Sequence, residues 1–128
     1  QTSSYTTSSS SFGSIGLDVN ITPSATSSKI LLLFSATVDN SASGRQGDLT
    51  IWREISSSNV ALNSNGFMQI FNGAGRNVGS GAFSHVDSPS TTSAILYRIA
   101  ARSNTGNEIN IGANTGGTIT LTALEISA

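Results

Sequence analysis

The chain has 128 residues, 10% of them charged, a formal net charge of -1 and no cysteine. That length fits one domain able to bury roughly two thirds of its unfolded surface. The charge balance leaves no cationic field to neutralise phosphates, so nucleic acid is excluded as a partner, and no apolar run approaches the roughly 18 residues of a membrane-inserted span.

The opening QTSSYTTSSSS is polar and begins at Gln1 without a methionine. Residues 1–12 read as a linker from an upstream segment, with the folded domain over residues 13–128. Beyond the linker, period-two patterns recur between Gly, Asn, Ser and Pro clusters, and none holds a 3.6 period. This predicts an all-β, antiparallel β-sandwich. In SIGLDVNIT, Ile15, Leu17, Val19 and Ile21 share one face and Pro23 ends the pairing. KILLLFSATV follows, then the loop of residues 39–48. In DLTIWREI, Leu49, Ile51, Arg53 and Ile55 share a face, with Trp52 opposite. NVAL and GFMQIF come next. The glycine-rich NGAGRNVGSG reads as a long surface loop with Arg76 at its tip, leading to AFSHV. After DSPSTTS, SAILYRIAAR places Ile95, Tyr97, Ile99 and Ala101 on one side and Leu96, Arg98 and Arg102 on the other. EINIG and TITLTALEI close the chain; Leu124 and Ile126 break the phase of the last strand, as at a bulge.

Residues 30–34 of KILLLFSATV are apolar without interruption. An outer sheet face needs apolar residues only where something covers it, and no helical segment is available to do so. A second copy of the chain is the first cover to consider; a terminal arm over the strand, or a bulge between the sheets, are the others. On the first reading, Ile30, Leu32, Phe34, Leu96, Arg98 and Leu124 form a subunit interface, each buried Leu or Phe contributing roughly 1.5–3 kcal/mol.

Catalytic signatures are missing. His85 and Asp87 in SHVD share a strand face, but no G-x-S-x-G turn accompanies them, and two ligands are too few for zinc unless neighbouring chains add theirs. The glycine-rich loop lacks the Gly-Lys-Ser/Thr ending of a phosphate cradle, Asp39, Asp48 and Glu54 miss calcium-loop spacing, and no carboxylate pair suits glycoside hydrolysis. The sequence therefore predicts no enzyme and no cofactor. Loops rich in Ser, Asn, Gly and Thr, at residues 39–48, 56–66, 72–82 and 87–93, offer directional hydrogen bonds to polyols. Arg45, Asp48, Arg76, Asn77, His85 and Asp87 are the candidate ligand-binding residues, with Trp52, Tyr97, Phe71 and Phe83 as possible aromatic platforms.

The succession SATSSKILLLFSATV, DLTIWRE with Arg53 after an aromatic, DSPSTTSAILYRIAARS and TITLTALEISA resembles a tail-fibre tip domain of marine and freshwater bacteriophage structural proteins, over residues 11–128. The matching loop carries Asp87, Pro89, Thr91 and Thr92 before Tyr97, and the ending matches at Glu125 and Ile126. The chain departs at Thr122 and Ala123, an insertion before Leu124. The resemblance implies a jelly-roll head of the tumour-necrosis-factor or C1q type, a homotrimer at the distal tip of a virion tail fibre. Such a head would bind a host-surface glycan or outer-membrane protein through loops repeated by symmetry. The competing expectation is a structural trimerisation knob or capsid decoration domain with no external ligand.

Overall fold

The computed structural model describes residues 4–40, 43–112 and 117–127. Residues 1–3 of the expected linker and residues 41–42 of the expected 39–48 loop lie outside them. Among the described residues there is no helix. The strands are β1 (Tyr5–Thr7), β2 (Gly13–Ile21), β3 (Lys29–Asn40), β4 (Arg45–Ile55), β5 (Ser58–Ala61), β6 (Met68–Asn72), β7 (Asn77–Asp87), β8 (Ile95–Ser103), β9 (Ile109–Ile111) and β10 (Thr120–Ile126).

Two antiparallel sheets result. In the first, β3 is central, with β7 along one edge and β10 and β9 sharing the other, β1 lying outside β9. In the second, the order is β2-β8-β4, with β5 and β6 dividing the far edge of β4. The sheets bury one core between them, an arrangement compatible with a β-sandwich. Its first layer supplies Ile30, Leu32, Phe34, Ala36 and Val38; its second supplies Leu49, Ile51, Ile95, Tyr97 and Ile99. These are the alternate positions of β3, β4 and β8, as a half-buried pleated strand requires.

Three local features differ from the sequence expectations. Part of the expected linker belongs to the sheet: Tyr5–Thr7 pairs with Ile109–Ile111, and Thr6 Oγ1 donates to Asn110 Oδ1 at 2.6 Å. A polar run can still extend a sheet where β-branched threonines meet a free edge. The glycine-rich segment is strand from Asn77 onward, because β3 continues to Asn40 and pairs with it residue by residue. Gly81 suits that strand because a Cβ there would sit 2.3 Å from Met68 Sδ, so the bare backbone lets β6 close over β7. In β10 no phase is broken: the register runs without interruption from Thr120 opposite Ser35 to Ile126 opposite Lys29. A real bulge lies in β2, between Ser14 and Asp18, where Gly16 takes φ +75°.

Candidate functional site

The two outer faces of the paired sheets differ in chemistry. On the first sheet, β3 turns Leu31 and Leu33 outward while its alternate residues enter the core. Leu31 is flanked directly by Val86 on β7 and Leu124 on β10, and Lys29 by Ile126. Leu33, Val86, Leu124 and Ile126 keep between 39% and 49% of their surface exposed. Toward the other end of β3 this face becomes hydroxylated, with Ser35 Oγ and Thr120 Oγ1 2.7 Å apart and Thr37, Ser84 and Thr122 on neighbouring positions. The run at residues 30–34 is thus apolar on both sides for two separate reasons: one side is the core, the other an exposed apolar row.

This geometry corrects the expected interface. Ile30, Leu32 and Phe34 are enclosed between the chain's own sheets and offer nothing to a neighbour. Leu96 and Arg98 lie on the outer face of the second sheet and Leu124 on that of the first. The sequence signal that would have found the exposed row is the apparent phase break itself, since Leu124 and Ile126 extend it.

Buried carboxylates, each met by an arginine, dominate the polar interior. Asp87 accepts from Arg53 Nη1 at 2.8 Å and 3.0 Å and from the Tyr97 hydroxyl at 2.6 Å. Arg53 stands directly opposite Tyr97 in the second sheet, so this cluster links the sheets through β7. Burial, reinforced by the hydrogen bond to the Asp87 carboxylate, pushes the Tyr97 phenol far above its ordinary range, with the Arg53 charge opposing. Asp39 accepts from Arg76 Nε at 3.1 Å and Nη2 at 2.8 Å. Asp48 accepts from Arg102 Nε at 2.9 Å and Gln46 Nε2 at 3.1 Å, while the Arg102 guanidinium lies 4.5 Å from the centre of the Phe12 ring.

Of the expected ligand-binding residues, Asp48 and Asp87 are held inside the fold, and the six are not brought together. Arg45 donates to the Glu108 carbonyl, and Asp48 and Asp87 are buried in the pairings above. Arg76 is exposed but closes on Asp39, and Asn77 opens β7 on the surface. His85 lies in an edge cluster, 4.8 Å from the Phe67 ring, with Phe67 in turn stacked on Phe83 at 5.3 Å. The strand registers place residues 45, 76 and 77 at one end of the sheets and 85 and 87 toward the other. Among the described residues, no group of three or more His, Asp or Glu could hold a metal ion.

Of the expected aromatic platforms, Tyr97 is core and Phe83 belongs to the edge cluster, while Phe71 is exposed. Trp52 is half-buried on the outer face of the second sheet, opposite Arg98 and Ala61. Arg98 Nη2 approaches Glu54 Oε2 at 3.2 Å, and its Nε lies 3.9 Å from Asp18 Oδ1. This set was not legible as a group, because Asp18, Trp52 and Arg98 come from three strands that only the register unites. No family model, no curated protein and no solved structure matches the chain.

Proposed function

We propose that the chain is the trimeric head of a phage tail fibre, sited at the distal tip in the virion and binding a host-surface glycan or outer-membrane protein. The observation that carries this reading is the exposed row Val86-Leu31-Leu124, with Leu33 and Ile126 beside it. Apolar residues on three adjacent strands, grading into hydroxyls that can pair with their own kind, suit contact with further copies of the same chain. The strand order is compatible with a jelly roll, since β2, β3, β4 and then β7, β8 alternate between the two sheets. The resemblance in the segments around Asp87, Tyr97 and Glu125 points to the same class of head.

Two measurements test it. Light scattering should give about three times the 13.1 kDa chain mass, and the domain should compete with phage for adsorption to host cells. A stable monomer at low micromolar concentration sinks the trimer. A trimer that neither adsorbs to cells nor binds isolated envelope leaves the purely structural knob, a reading favoured by the internal pairing of Asp39, Asp48 and Asp87.

A further inference from the structure

We infer that the outer face of the second sheet around Trp52 is a glycan subsite, and that it takes neutral or amino sugars rather than uronic or other anionic ones. This rests on the receptor-binding reading and moves its ligand site from the loops to a sheet face.

One outer face is buried over half its length and partly exposed over the other half. In the former, Asp48 and Thr50 are fully buried: Thr50 Oγ1 donates to the Asn63 carbonyl, and the backbone of Leu62 and Phe67 bonds to β4 on either side of that segment. Phe12 lies against Arg102 on the same half. Beyond Thr50 the face is partly exposed rather than buried. From there β4 presents Trp52 and Glu54, β8 presents Leu96 and Arg98, β2 presents Asp18 and Asn20, and Asn59 of β5 stands opposite Glu54. Asp18, Asn20 and Asn59 are exposed, and Trp52, Glu54 and Arg98 partly so.

The chemistry of this group suits a polyol. A large aromatic ring offers apolar surface to the C–H face of a pyranose, while the surrounding carboxylates and amides accept and donate hydrogen bonds to its hydroxyls. Arg98 lies between Asp18 and Glu54 as an ion pair with each, and these carboxylates keep part of their surface open to solvent. Charge selects the ligand class. Two carboxylates surround one guanidinium, so the site repels a further carboxylate and tolerates a neutral ring or an ammonium group.

Trp52 is the chain's single tryptophan, so its emission reports on this site alone. The experiment prints purified bacterial surface polysaccharides in three classes, neutral, amino-sugar-bearing and uronic-acid-bearing, probes them with the domain, and titrates each binder against Trp52 fluorescence. Binding to the first two classes is expected, with an emission change and protection from acrylamide quenching. Trp52→Ala should weaken binding about tenfold or more, and Trp52→Tyr should keep most of it; Asn59→Ala, on an exposed position, should weaken it several-fold without touching the core. Glycan binding that is indifferent to Trp52→Ala and Asn59→Ala, or confined to uronic polysaccharides, overturns the subsite but leaves the receptor reading standing. Adsorption to cells with no glycan bound overturns it in favour of a protein receptor, and failure of both adsorption and glycan binding overturns the two readings together.

Discussion

Tyr97 donates its phenolic proton to Asp87 Oδ2 at 2.6 Å, and the two residues belong to different sheets. The bond therefore spans the core, and Arg53 completes it from the strand beside Tyr97. Removing the shared acceptor leaves the buried Tyr97 hydroxyl and the part-buried Arg53 guanidinium without it. Asp87→Ala should cost about 3–5 kcal/mol, read as a lower denaturant midpoint at unchanged slope. Asp87→Asn keeps one accepting oxygen for the Tyr97 hydroxyl but loses the charge that pairs with Arg53, so it should cost less than Asp87→Ala. A loss of only about 0.5 kcal/mol for Asp87→Ala, as at an ordinary surface position, would mean the cluster does not tie the sheets.

The same hydrogen bond sets the response to alkali. The native phenol of Tyr97 ionises far above the ordinary tyrosine value of about 10 because it is buried and bonded to a carboxylate. Unfolding frees it to ionise near that ordinary value, so the unfolded state gains charge first. The stability Tyr97 contributes is complete below about pH 10 and is lost progressively as the pH rises beyond it. Denaturation midpoints should fall over that range, and Tyr97→Phe should flatten the fall. An unchanged slope in the variant would assign the sensitivity to other groups.

Leu32 and Leu33 are sequence neighbours with opposite roles. Leu32→Ala empties a core position and should destabilise the domain by about 2–5 kcal/mol. Leu33→Glu places a charge on the exposed row and should leave the β circular dichroism spectrum intact while reducing the scattering mass toward 13.1 kDa. Self-association that survives Leu33→Glu and Leu124→Glu together would show that copies meet elsewhere.

At the β6–β7 edge, Gly81→Ala forces a methyl group against the Met68 thioether. That thioether is the far end of a flexible side chain, so the overpacking should cost only about 1 kcal/mol, and a second change, Met68→Ala, should recover part of it. Additive losses in a double-mutant cycle would indicate that Met68 moves aside freely.

Much of the strand pattern was open to reading in the chain itself. The buried alternation of β4 and β8, with Arg53 on the core side and Trp52 opposite, follows from period two alone. Where the reading went astray, period two was silent. Residues 30–34 are apolar in both phases, so nothing local says that Ile30, Leu32 and Phe34 face inward and Leu31 and Leu33 outward; that choice is made by Val38 and Ala36 further along β3. Leu124 and Ile126 suggested a bulge for the same reason. The polar residues were harder still. Asp48, Arg76 and Asp87 looked available for ligands because their partners Arg102, Asp39 and Arg53 lie 54, 37 and 34 residues away along the chain. Such pairings exist only after the sheets have formed.

The leucine row and the tryptophan site occupy opposite layers of the molecule. Packing that hides one layer at the centre of a ring necessarily turns the other to the circumference. A fibre ending in such a ring would grip its target with its flanks rather than its point, and lying down against the cell would bring more sites into play than standing upright on it.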